Sequence, residues 1–107
     1  MDFSTFREAL HEGLVFRKPN VTSTILKIGD DGVTYSIGKN GNSKKVSFEI
    51  LHAAFQELDQ NQSLTRKWFN ECFPTQAKIA SCSFTTIGGL FQHFKLATYV
   101  RGNYKKI

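Results

Sequence analysis

The chain has 107 residues, 40% of them hydrophobic and 10 of them phenylalanine, which suits one domain whose aromatic core needs no disulfide to hold it. Cys72 and Cys82 have no companions at metal-ligand spacing, which argues against zinc. No stretch approaches the roughly 20 apolar residues of a membrane span and no cationic leader opens the chain, so the expectation is a soluble cytoplasmic protein with two free thiols, whose pairing with each other stays open. The net charge is +5, distributed unevenly: residues 1–19 carry three basic and three acidic side chains, residues 20–60 four and five, and residues 61–107 seven and one. All the excess positive charge therefore lies in the last half, as an electrostatic footprint for phosphate would, although a merely solvated basic face has the same composition.

In chain order, Asp2 is placed to cap a first helix that buries Phe3, Phe6, Leu10 and Leu14, with Gly13 near its end and His11 exposed. Arg17-Lys18-Pro19-Asn20 breaks this helix and begins a linker. From Val21 the period falls to two. Val21–Ile28 is rich in branched residues, and Gly29-Asp30-Asp31-Gly32 has turn chemistry. Val33, Tyr35 and Ile37 alternate with Thr34 and Ser36, Asn40-Gly41 centres a second turn, and Val46 and Phe48 alternate out of a third strand. The result is a three-stranded antiparallel meander. Its lysines Lys39, Lys44 and Lys45 do not make a phosphate loop, because the GxxxxGK[ST] spacing is missing and a strand, not a helix, follows.

Ser47 caps the next helix, with Glu49 in its first turn, the stripe Ile50, Leu51, Ala54, Phe55 and Leu58 facing inward and His52 off it. After Gln60-Asn61-Gln62, Ser63 is placed to cap a helix from Leu64 to about Phe73, burying Leu64, Trp68 and Cys72 at four-residue spacing and ending at Pro74. An extra turn is expected at Gln76–Ile79. Ser83 then caps a last helix with Phe84, Ile87, Leu90, Phe91 and Phe94 on one face. The other face holds Thr85, Thr86, Gly88, Gly89, Gln92, His93 and Lys95. Each glycine costs a helix interior roughly 1 kcal/mol relative to alanine, a cost that makes sense where something must approach the backbone closely. Two short runs, Thr98-Tyr99-Val100 and Lys105-Lys106-Ile107, flank Gly102-Asn103, a two-residue hairpin signal.

Helices at about 48–59, 64–73 and 84–95 followed by a hairpin at 98–106 resemble a winged helix-turn-helix domain in element order, over a little more than half the chain. The ten residues from Pro74 to Ser83 exceed the usual 3–4-residue turn between the two last helices. The resemblance implies double-stranded DNA as partner, with the last helix in the major groove and the hairpin on the backbone or in the minor groove. It places Thr85, Thr86, Gly89, Gln92 and His93 toward base edges, with Lys95 on the same helix face, and Arg101 at the wing. Arg66, Lys67 and Lys78 would grip phosphates, and Lys105 and Lys106 would extend the contact. Ser81 and Ser83 would stand at the helix N-terminus, as caps or as phosphate donors.

The fold expectation is therefore α+β: an N-terminal helix and three-stranded meander (1–48), then a three-helix unit with a C-terminal hairpin (49–107). No cofactor and no enzyme activity are expected. Glu71 is the only acid after residue 60, too few for a nuclease metal cluster, Cys72 reads as buried, and Cys82 and His93 stand about 16 Å apart along a helix. The competing expectation is a protein-interaction module, such as an inhibitor, immunity-type or adaptor protein, whose basic face meets an acidic protein. The bare helix face lacks the aromatic and arginine anchors of protein interfaces, which favours nucleic acid. Homodimerisation through the first helix or a meander edge is compatible with either, and no membrane partner is expected.

Overall fold

A computed structural model describes residues 1–38 and 41–107, so the Lys39 side of the second turn and its Asn40-Gly41 centre lie outside the described residues in part. Among the described residues the chain is α+β, with five helices, a four-stranded antiparallel sheet and a small three-stranded sheet.

Helix α1 (Phe3–Ala9) is capped by Asp2, whose carboxylate accepts from the Thr5 amide at 2.8 Å. It is shorter than its apolar spacing predicts. Gly13, at φ +88°, turns the chain so that its amide donates to the Ile25 carbonyl at 2.8 Å, and Leu14 leads into a strand, β1 (Val15–Arg17). Leu14, just before the strand, and Phe16 within it are buried on either side of exposed Val15, so a period of two stood where a helix was expected. The 17–20 segment is accordingly no linker. It is the tight turn into β2 (Thr22–Ile28), closed by the Lys18 amide donating to the Val21 carbonyl at 2.7 Å. β3 (Gly32–Ile37) and β4 (Asn42–Ser47) complete a sheet in the order β1-β2-β3-β4.

Ser47 caps α2 (Phe48–Asn61) as its sequence suggests, accepting from the Ile50 amide at 3.1 Å. Beyond α2, Ser63–Leu64 forms β5 and does not cap a helix. Leu64 is taken out of the helical phase by pairing with Tyr104, Thr65 caps in its place by accepting from the Trp68 amide at 3.0 Å, and α3 runs Arg66–Cys72. The buried residue of α3 is therefore Phe69, Trp68 is half-buried, and Cys72, expected in the core, is exposed. Pro74 opens a fourth helix, α4 (Pro74–Ile79), at its first position, where a missing amide costs nothing. The unit after the sheet therefore has four helices where three were expected.

Helix α5 (Ser83–His93) follows, then β6 (Ala97–Val100) and β7 (Asn103–Lys106). The register Val100↔Asn103 makes Arg101-Gly102 the hairpin turn, one residue earlier than the Gly102-Asn103 signal, with φ +50° and +87°. Both central residues at positive φ is the arrangement that matches strand twist. The small sheet has the order β5-β7-β6, so the hairpin is tied to the helical unit through β5. One aromatic core joins both halves. Phe6 of α1 meets Phe91, Phe94 and Phe55 at ring-centroid distances of 5.3, 5.6 and 5.8 Å, the first two edge to face.

Candidate functional site

Helix α5 is buried nearly all round. Ser83, Phe84, Thr86, Ile87, Gly88, Gly89, Leu90 and Phe91 are all buried, so Thr86 and Gly89 cannot meet base edges in this conformation. The two glycines do serve close approach, but from within the molecule. A Cβ on Gly88 would stand 2.0 Å from the Tyr104 ring, and one on Gly89 would stand 2.7 Å from the Arg17 carbonyl. The hairpin covers one flank of the helix and β1 another. Only its ends reach solvent, with Thr85 half-buried near the N-terminus and Gln92, His93 and Lys95 exposed at the C-terminus.

The predicted residues therefore divide between places rather than forming one face. Lys95 and Lys106 line a depression at the C-terminal end of α5 together with Asp59, to which Lys106 Nζ is bonded at 2.6 Å. That lysine holds the Asp59 carboxyl below the usual carboxylate range. Lys67 lies 4.0 Å from Glu71 one helical turn on, and Lys78 is exposed on α4. Arg101 and Lys105 line a shallow groove of about 480 Å³ along the hairpin, floored by Ser63, Thr65 and Asn103. Ser81 is exposed, whereas Ser83 is buried and committed to internal hydrogen bonds.

A cleft of about 330 Å³ opens at the N-terminal end of α5, between the β1–β2 turn, the end of β3, α3 and the hairpin. Arg66 and Thr85 line it, joined by three residues that the sequence had not placed at a binding site: Lys18, Cys82 and Tyr99. Arg66 is fixed by several contacts. Its amide donates to Asn103 Oδ1 at 3.1 Å, its guanidinium donates to the Ser81 carbonyl at 3.2 Å, and that group lies 4.7 Å over the Phe84 ring. Lys18 is 6% exposed, with its ammonium 4.9 Å from the Tyr35 ring centroid. No acceptor or carboxylate pairs with that ammonium among the described residues, and no acid lines the cleft. Burial holds the Lys18 ammonium below its ordinary pKa.

Beneath the cleft lies a polar seam. The Tyr35 hydroxyl shares hydrogen bonds with Ser83 Oγ at 2.8 Å and Cys82 Sγ at 3.3 Å, and Gln76 Nε2 donates to Ser83 Oγ at 2.9 Å. Burial, with the Cys82 contact second, pushes the Tyr35 hydroxyl's pKa up. The α5 N-cap, Cys82, gives the first-turn amides no side-chain acceptor. The Ser83 amide donates to the Ala80 carbonyl at 2.9 Å, and the helix start, without a side-chain cap and beside two cations, still presents the positive end of the helix dipole.

No pattern in the sequence pairs Lys18 with Arg66, forty-eight residues away. The one available signal was Lys18 beside Pro19 in a turn, and turns are solvated by default. The chain matches no known family model, no curated protein and no solved structure.

Proposed function

We propose that this protein binds nucleic acid, double-stranded DNA in the first instance, with the hairpin as its leading contact. The order helix, strand, helices, hairpin supports the winged-helix reading, and the tie through β5 supports a hairpin fixed to the helical unit at its base, with Arg101 exposed at its tip. The burial of α5 changes that reading in one respect. The helix acts as the scaffold behind the contact, and the phosphates are met by Arg101 and Lys105 along the hairpin groove, with Lys67 and Lys78 farther out.

One observation carries the proposal. Arg101 stands exposed at the hairpin tip at φ +50°, a backbone conformation that costs a non-glycine residue roughly 1–2 kcal/mol. Asparagine or glycine would fill that position with less strain; Gln62 and Lys95 also stand at positive φ, and what distinguishes Arg101 is that the cost is borne by an exposed cation at a hairpin tip.

The test is fluorescence anisotropy of a labelled blunt duplex at about 50 and about 200 mM salt. Log K against log salt is expected to fall with a slope near −4, for ~4–5 neutralised phosphates, and Arg101→Ala should flatten it by about one unit. No binding at either salt, or equal binding by an Arg101→Ala/Lys105→Ala variant, overturns the reading and turns the basic face toward an acidic protein.

A further inference from the structure

We propose that the cleft at the start of α5 binds one nucleotide, with its phosphate between Lys18 and Arg66 and its base against Tyr99. The first support is the state of Lys18. Lysine is seldom buried without a partner, and this residue is only 6% exposed; its ammonium, which solvent still reaches, lies over the Tyr35 ring and near the Cys82 thiol with no hydrogen-bond partner among the described residues. Its charge is not needed for the turn, which is closed by backbone atoms. A bound anion would supply the missing partner. Arg66 is held rigidly by Phe84 and the Ser81 carbonyl, and the uncapped α5 amides add partial positive charge on the same side. Thr85, half-buried in the lining, has its hydroxyl proton committed to the Cys82 carbonyl at 3.1 Å, so its lone pairs can accept from a ribose hydroxyl or a base amine but not from the phosphate.

The second support is shape and composition. A bare phosphate needs far less than the cleft's 330 Å³, which lies at the lower end of the ~300–1,000 Å³ of small-ligand sites. Tyr99 forms part of the wall, 39% exposed, with its ring held edge to face on Tyr104 at 5.3 Å. A half-open, pre-positioned aromatic beside two cations is the combination that receives a stacked base and its phosphate. Thr22 and Ser36 also line the cleft, the Ser36 hydroxyl already accepting from the Thr24 amide at 2.9 Å.

Two sources share this chemistry: a free mononucleotide, and an unpaired nucleotide at the end of a bound strand. The second rests on the nucleic-acid reading above; the first does not. In one arm, adenosine 5′-monophosphate, adenosine and inorganic phosphate are each titrated into the full chain and followed by amide NMR shifts. In the other, a duplex with a 5′-phosphorylated two-nucleotide overhang is compared with the blunt duplex. Binding of the monophosphate at least ~10-fold tighter than adenosine and than phosphate, or an overhang preference of that size, supports the proposal. Lys18→Met and Thr85→Val should each reduce that binding, Lys18→Met by ~10-fold or more, while leaving blunt-duplex affinity within about twofold. Neither mononucleotide binding nor an overhang preference in the wild type, or full retention of both by Lys18→Met and Thr85→Val, overturns the proposal. Loss of hairpin-dependent binding to the blunt duplex alone would instead remove the reading of the preceding subsection and leave the mononucleotide arm standing.

Discussion

Lys18 shows how a single buried charge separates stability from function. Its folded pKa lies below its ordinary value, so the native state holds the proton less firmly than the unfolded chain does. The resulting penalty is present below the folded pKa and is relieved as pH rises toward the unfolded one. At neutral pH, Lys18→Met should therefore raise the melting temperature by a few degrees while weakening ligand binding, a pairing that a merely structural lysine would not give. Tyr104 makes the opposite case. Its hydroxyl is buried without a hydrogen-bond partner among the described residues, and burial raises its pKa from 10.0 to about 12. Stability tied to this group is present below pH 10 and is lost as pH rises through about 12. Tyr104→Phe should be neutral or stabilising at pH 7 and should postpone alkaline unfolding, followed as melting temperature from pH 9 to 11.5. A loss of several degrees at neutral pH would mean that the hydroxyl has a partner.

At the scale of elements, α5 is defined by what lies against it. Gly88 and Gly89 lower its intrinsic helix propensity, yet each admits a neighbour that would otherwise collide. Gly88→Ala places a methyl into a fully buried tyrosine ring, so the propensity gain should be overwhelmed, with a net loss of about 1–3 kcal/mol or more in urea unfolding. Gly88→Ala with Tyr104→Leu should recover part of that loss; no recovery would show that the clash lies elsewhere. The hairpin offers a contrast. Arg101→Asn should relieve strain at φ +50° and stabilise the fold by up to about 1 kcal/mol, yet weaken duplex binding. An arginine variant with unchanged affinity would leave that strain without a function.

Across the whole molecule, the charge is the property that salt reads. Among the described residues Lys106, Lys45 and Lys67 are engaged by acids, while Arg101, Lys105, Lys78 and Lys95 have no acidic partner. These unpaired cations stand at several places on the surface, so affinity for a duplex should depend steeply on ionic strength and weakly on sequence. No helix of the described residues is long and apolar enough to cross a membrane.

Much of this protein was legible locally. The Asp2 and Ser47 caps, the apolar stripe of α2, the alternation in β3, the hairpin and the cationic second half all follow from spacings of a few residues, and such spacings are visible in a sequence. The two-residue strand β5 was not, because its only support is pairing with Tyr104, forty residues on, and that pairing displaced the start of α3 and moved Cys72 out of the core. The bare face of α5 read as a binding surface for the same reason: small residues permit close approach, but sequence cannot say by what. Only the tertiary structure decided that the approach comes from β1 and Tyr104, and only it brought Lys18, Arg66, Thr85 and Tyr99 around one cleft. Local rules determined the elements because caps and periodicity act within a turn or two of chain. The site was decided by packing because its residues come from four segments that meet only when the core closes.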